Sequence, residues 1–233
     1  MKKLATILSF ILWATLPLWS LNMSIEHSIH FFEKNKKGFE LIAHQYGCNV
    51  YEIAAIALPE VERYAEWQNY LENMALWQYY IKGGTEEADF SIGYFQMKPS
   101  FIEKLECEIV ENECWIEKFG HVLPQGDLSL SEARKYRLEK LNDLFNQFDY
   151  LCIYYQIMQE KYSNIIQEEN KIRFFAAAYN YGFDREENAI KKWMPIKAFP
   201  YGRKFNFEQD AYADVSLSIY RILLENKVNG IIC

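Results

Sequence analysis

Between Ile53 and Tyr64 the chain repeats its apolar residues at helical spacing, and one position in that repeat is a carboxylate. Ile53, Ile56, Ala57, Glu60, Val61 and Tyr64 fall at i, i+3, i+4, i+7, i+8 and i+11, which is one face of a helix. Glu60 therefore stands where a leucine is expected, whereas Glu62, roughly 200° around the helix, is expected to face water. Pro59 lies inside the repeat and is expected to kink the helix and shift the phase of that face. Helical periodicity of this kind runs through most of the chain, and no segment alternates convincingly as a strand. The expected fold is all-α, with at most a small β-hairpin near Asp89.

The helices can be bounded from their punctuation. Ser24 to Tyr46 is periodic, with Phe31, Phe32, Phe39, Leu41 and Ile42 as core and Gly47 as a stop. Asn49-Val50-Tyr51-Glu52 reads as a capping box that opens the Glu60 helix. A further periodic stretch, Ala65 to Lys82, ends at Gly83-Gly84. Pro99 suits the first turn of a helix running to Leu105. Cys107 to Asp127 carries Gly120, Pro124 and Gly126 and reads as a long irregular loop, a type that is more often functional than a plain connector. Ser129 to Glu132 forms a second capping box, opening one long or two consecutive helices through Tyr162. Glu168 to Tyr181 closes at Gly182, and its alanine run, Ala176 to Ala178, predicts close contact with a neighbouring helix. A Pro/Gly-bearing stretch then leads to a last helix, Glu208 to Glu225.

Half of the 233 residues are hydrophobic, enough for one domain with a sizeable core. Aromatic residues reach 17%, which suits a packed helical core and also a groove on which sugars stack. The net charge of −7 argues against nucleic acid as a partner, since a phosphate backbone needs a basic face. Met1-Lys2-Lys3 followed by an apolar run from Leu4 to Leu21 reads as a secretory signal peptide over residues 1–21, or as an uncleaved membrane anchor. The expected organisation is that segment followed by a single domain over 22–233, exported to the periplasm or cell envelope, with membrane attachment only through the N-terminus. Of the five cysteines, Cys107 and Cys114 are spaced to close a small loop after export, and the odd count leaves one unpaired in a monomer. His27, His30, His44 and His121 are scattered, and no Cys-x-x-Cys or His-x-x-x-His spacing suggests a metal; no cofactor is expected.

A carboxyl group held among apolar side chains is costly to ionise, so Glu60 is a candidate general acid of the kind a glycosidic bond requires. Gly93-Tyr94-Phe95-Gln96 offers a turn in which Gly93 would let a ligand approach the backbone and the Gln96 amide would both donate and accept toward a sugar. Tyr179 and Asn180, at the C-terminal end of the alanine helix, are polar residues placed to face a cleft. Asp89, four residues before Gly93, is a candidate second carboxylate or a turn and cap residue.

Three segments in this order, Glu60 on its helix, Gly93-Tyr94-Phe95-Gln96-Met97-Lys98-Pro99 and Ala177-Ala178-Tyr179-Asn180-Tyr181-Gly182, resemble the lytic transglycosylases of the lysozyme-like superfamily, related to goose-type lysozyme. A weaker echo is Glu208-x-x-x-Tyr212, with Gln209 where the family has threonine. The resemblance implies a lysozyme-like helical domain that cleaves the glycan strands of peptidoglycan between N-acetylmuramic acid and N-acetylglucosamine. Glu60 would be the single acid and base, and Gly93, Gln96, Met97, Tyr179, Asn180 and Tyr181 would contact the sugar. The chain departs from the family in having Val61 after the glutamate, Tyr94-Phe95 for an aliphatic pair, and an inserted helix at about 65–82. Goose-type lysozymes carry an Asp five residues after the turn glycine, where this chain has Lys98, which favours transglycosylation over hydrolysis. Two alternatives stand beside that expectation: hydrolysis of the same bond, and a non-catalytic peptidoglycan-binding protein that keeps the fold.

Overall fold

The computed structural model of the chain describes residues 25–63, 78–165, 168–204 and 209–230. The segment read as a signal peptide or anchor lies outside them, as do most of the inserted helix, of which residues 78–83 are helical, and Glu208. In chain order the helices are α1 (Ile25–Gln45), α2 (Val50–Ala57), α3 (Pro99–Val110), α4 (Glu113–Phe119), α5 (Leu130–Leu141), α6 (Leu144–Lys161), α7 (Glu168–Tyr181), α8 (Glu187–Trp193) and α9 (Tyr212–Gly230). Short strands β1 (Lys197–Phe199) and β2 (Asp210–Ala211) pair antiparallel between α8 and α9. The domain is therefore all-α with one small hairpin-like sheet. That sheet lies in the Pro/Gly-bearing stretch; near Asp89 there is only an isolated bridge between Ile92 and Met97.

Helices α2, α7 and α9 pack against one another, while α1 packs on α6. All eight residues of α2 are buried, and Ala54, Ala55 and Ala57 on it match Ala176, Ala177 and Ala178 of α7, each at most 1% exposed. Small side chains on both partners let the helix axes approach, as the alanine run predicts. Pro59 does more than kink the helix. The α-helix stops at Ala57, and Leu58–Arg63 continues as a 3-10 helix. A proline cannot supply the N–H that an α-helical turn needs, and a helix end leaves carbonyls without intrahelical partners. Tyr212 of α9 donates to Ile56 O at 3.0 Å, and Ser28 of α1 donates its hydroxyl to Leu58 O at 2.8 Å.

Several expectations need correction. Asn49 caps α2 through the Tyr51 N–H, but Glu52 does not close a capping box. Its carboxylate turns inward to Lys171 at 2.5 Å and accepts from the Tyr155 hydroxyl. The second capping box, Ser129 with Glu132, forms as expected. Cys107 to Asp127 is mostly ordered helix: α3 runs on to Val110, Asn112 caps α4, and a 3-10 turn covers Gly120–Val122. The asparagine cap that restarts the chain after Glu111 was the signal available in the sequence. Cys107 and Cys114 are free, exposed thiols rather than a closed loop, and Cys48 and Cys152 are free as well.

The Glu52–Lys171 pair sits where neither charge is well hydrated, with side-chain exposures of 8% and 17%. Breaking such a pair from one side leaves an uncompensated charge and costs about 3–5 kcal/mol. Lys171→Met is expected to lower the urea unfolding free energy by about that amount, and adding Glu52→Gln is expected to recover most of it.

Candidate active site

Glu60 lies in the 3-10 segment that follows α2 and is 4% exposed. Glu62, two residues on, turns the other way. One carboxylate oxygen accepts from both the backbone N–H and the hydroxyl of Ser28, at 2.8 and 2.9 Å, and so ties down the first turn of α1. The two glutamates face opposite sides of the segment, as their spacing predicts, but the Glu62 side chain is only 11% exposed and is taken up by Ser28 rather than by water. Glu60 opens onto a cleft of about 360 Å³, and Glu62 serves the scaffold.

The cleft gathers Glu60, Gln96, Met97, Tyr179, Asn180 and Tyr181 from three separate stretches of chain, together with Asp89, Ser91, Lys98, Lys104, Phe101 and the segment Gly182 to Arg185. Tyr179 stands close enough to Glu60 for the two charges to interact. Burial first, and the glutamate's negative charge second, push its phenol well above the ordinary tyrosine range. The Tyr179 hydroxyl donates to Phe95 O at 2.6 Å, so this side chain ties α7 to the Gly93–Gln96 turn. Asn180 accepts from the Trp193 indole N–H through Oδ1 at 3.1 Å, which orients its amide. Tyr181 stacks on Trp193 with ring centroids 4.4 Å apart and 12° between planes, adding an aromatic surface to this end of the cleft.

The turn is held from behind. Ile92 and Met97 exchange two backbone hydrogen bonds, at 2.8 and 3.1 Å, and Gln96 adopts φ 51, a left-handed conformation uncommon for a residue with a side chain. The Gln96 Nε2 donates to Gly93 O at 2.8 Å, closing the turn on itself while the side chain lines the cleft. Gly93 does not line the cleft. It faces the interior with φ 69, and a Cβ there would lie 1.6 Å from Gln147 Nε2. The close approach that Gly93 permits is therefore to an internal amide and not to a ligand.

Gln147, on α6, is 1% exposed. Its Oε1 accepts from Phe95 N at 3.0 Å, and its Nε2 donates to Ile92 O at 3.2 Å and to Leu141 O at 2.5 Å. Sequence reasoning passed over it as part of a scaffold helix. Yet it falls with Leu144, Phe148 and Leu151 at i, i+3, i+4 and i+7, so a polar residue at an apolar position was visible there too. Arg185, which lines the cleft from a turn, and Trp193, which supports Asn180 and Tyr181 from a short helix, carried no comparable signal.

Asp89 is on the cleft wall, but both its oxygens are engaged: one accepts from Ser100 N at 3.0 Å and the other from the Ser100 hydroxyl at 2.8 Å. It caps the first turn of α3 from a distance in sequence, with Lys98 3.7 Å away. Of the echo near the C-terminus, Tyr212 supports α2 as described above, and Gln209 pins the 201–202 turn by accepting from Tyr201 N and donating to Gly202 O, both at 3.1 Å.

Substitutions at Asp89, Gly93 and Gln147 separate these roles. Asp89→Ala is expected to cost about 1 kcal/mol of stability by removing the cap, while Asp89→Asn keeps most of it; a folded Asp89→Asn protein without turnover would make Asp89 a reacting carboxylate. Gly93→Ala is expected to destabilise by about 2 kcal/mol or more through overpacking and left-handed strain. Shortening Gln147 to Ala in that variant is expected to relieve the clash only, and urea melts of the three proteins report the difference. Comparison of the chain with family models, with curated proteins and with solved structures finds no match, so the functional reading stands on the cleft and on the motifs that line it.

Proposed function

We propose that this chain is a lysozyme-like glycosidase acting on the glycan strands of peptidoglycan in the periplasm or cell envelope, as a lytic transglycosylase with Glu60 as its acid and base. One observation carries the reading: a single cleft collects a buried glutamate, the Gln96 turn and the Tyr179–Asn180 pair. These are the three segments whose order resembles that family.

In the proposed reaction the Glu60 carboxyl protonates the glycosidic oxygen as its bond to the muramyl C1 breaks. The substrate's own acetamido group stabilises the developing positive charge at C1, so no second carboxylate is required. Glu60, now a carboxylate, takes the proton of the muramyl 6-hydroxyl, and O6 closes on C1 to give a 1,6-anhydro ring. Gln96 and Asn180 supply amides for the sugar's polar groups. Tyr179 holds the two walls together beside the acid, and its neutral phenol adds no negative charge there. Gln96, Tyr179 and Asn180 are each held by a hydrogen bond within the fold, an arrangement that favours positioning.

Hydrolysis is the second reading, because Asp89 lines the same cleft. Its engagement with Ser100 favours the transglycosylase. Digestion of purified peptidoglycan followed by mass analysis is expected to yield anhydro-muropeptides; reducing muropeptides, heavier by one water, would make the enzyme a hydrolase. Glu60→Gln is expected to lower turnover by roughly a thousandfold with an unchanged unfolding midpoint, in line with general acid–base catalysis. Strand binding without any cleavage by the wild-type protein would instead support a non-catalytic wall-binding role.

A further inference from the structure

Lys98, Lys104 and Arg185 line the cleft together with Glu60, Asp89 and Asp184. Lys104 binds Asp184 at 2.8 Å, and Lys98 lies 3.7 Å from Asp89. Burial works against ionisation of Asp184, but the hydrogen bond and charge of Lys104, with smaller contributions from its own backbone and from the Arg185 guanidinium, outweigh it and hold its carboxyl below the usual range. Arg185 also lines the cleft, and among the described residues no carboxylate forms an ion pair with it. Its charge acts on Asp184, whose carboxylate is hydrogen-bonded to Lys104, so the guanidinium keeps donors for a further anion.

That guanidinium is held in place. Its carbon lies 4.6 Å from the centroid of the Tyr181 ring, the same ring that stacks on Trp193. The arginine reaches it by folding back over Gly182: a Cβ at that glycine, where φ is 121, would lie 3.4 Å from Arg185 Cγ and 3.5 Å from Nε. The backbone N–H of Arg185 donates to Gly182 O, closing the turn that aims the side chain back along the chain. An arginine laid on an aromatic ring has lost part of its freedom already, while the edge of its planar fork still carries donors suited to a carboxylate.

We propose that Arg185, carried on the Tyr181–Trp193 stack, is a specificity-determining residue that binds a carboxylate borne on the muramyl side of the glycan strand. The inference rests on the glycan reading above and assigns that strand's anionic substituent to one end of the cleft. Two sources present the same chemistry: the carboxylates of a stem peptide, and the lactyl carboxylate that remains when the peptide is removed.

The test is calorimetric titration of Glu60→Gln protein, which consumes no ligand, with and without Arg185→Gln. Three tetrasaccharides are compared: one with stem peptides, one with free lactyl carboxylates, and neutral chitotetraose. Removing Arg185 is expected to weaken a carboxylate-bearing ligand about tenfold, the scale of a charge-assisted hydrogen bond, and to leave chitotetraose binding unchanged. A loss confined to the peptide-bearing ligand assigns the peptide carboxylates, a loss confined to the free-lactyl ligand assigns the lactyl carboxylate, and a loss with both shows that either carboxylate is accepted. Arg185→Lys is expected to restore part of the affinity, since the charge remains. Equal loss for all three ligands, or no loss for either anionic one, overturns the assignment while the glycosidase reading stands. Failure of all three to bind before Arg185 is changed overturns both.

Discussion

A single buried amide sets the geometry of the cleft floor. Gln147, 1% exposed, offers two donors and an acceptor, and the structure meets them with Ile92 O, Leu141 O and Phe95 N. An amide buried without partners costs several kcal/mol in an apolar surrounding, so the turn cannot drift from α6 without exposing both sides of that account to the penalty. Gly93 is required because a methyl group would occupy the space of the amide nitrogen. Once the turn is fixed, Gln96 is held in its left-handed conformation, and Met97 is returned to pair with Ile92.

The opposite wall depends on Pro59. By ending the α-helix before Glu60 it turns a continuous face into two short segments, and it leaves backbone carbonyls that α1 and α9 satisfy through Ser28 and Tyr212. Those same contacts fasten the Glu60 segment to the alanine-lined core. The acid is thus placed by backbone accounting as much as by its own side chain. Glu62 illustrates the contrast, since it is a glutamate of the same turn whose oxygen is taken up by the first turn of α1.

Much of this was legible before any coordinates. Helix α7 falls on the predicted residues, the Ser129 cap holds, and Glu60 is buried where its spacing required. Local signals of this sort depend on a few neighbouring residues and survive in sequence. Two of the misreadings share a cause: each concerns a residue whose partner is far along the chain. Glu52 fits a local capping box but is drawn instead to Lys171, and Gly93 resembles a ligand-facing glycine but answers to Gln147. Asp89, read as either a second carboxylate or a turn and cap residue, caps a helix that begins ten residues later. Spacing alone cannot choose between a local and a distant partner when both satisfy the same atom.

The 2.6 Å bond from the Tyr179 hydroxyl to Phe95 O spans the base of the groove, joining α7 to the turn that α6 supports. A groove cross-braced in this way behaves as a fixed gauge. Its width is set as the chain folds, and a ligand of the proposed kind would be accepted by fit to that width. Damage at a remote brace, such as the α6 amide, would then be felt as a change of bore at the mouth, with no residue there altered.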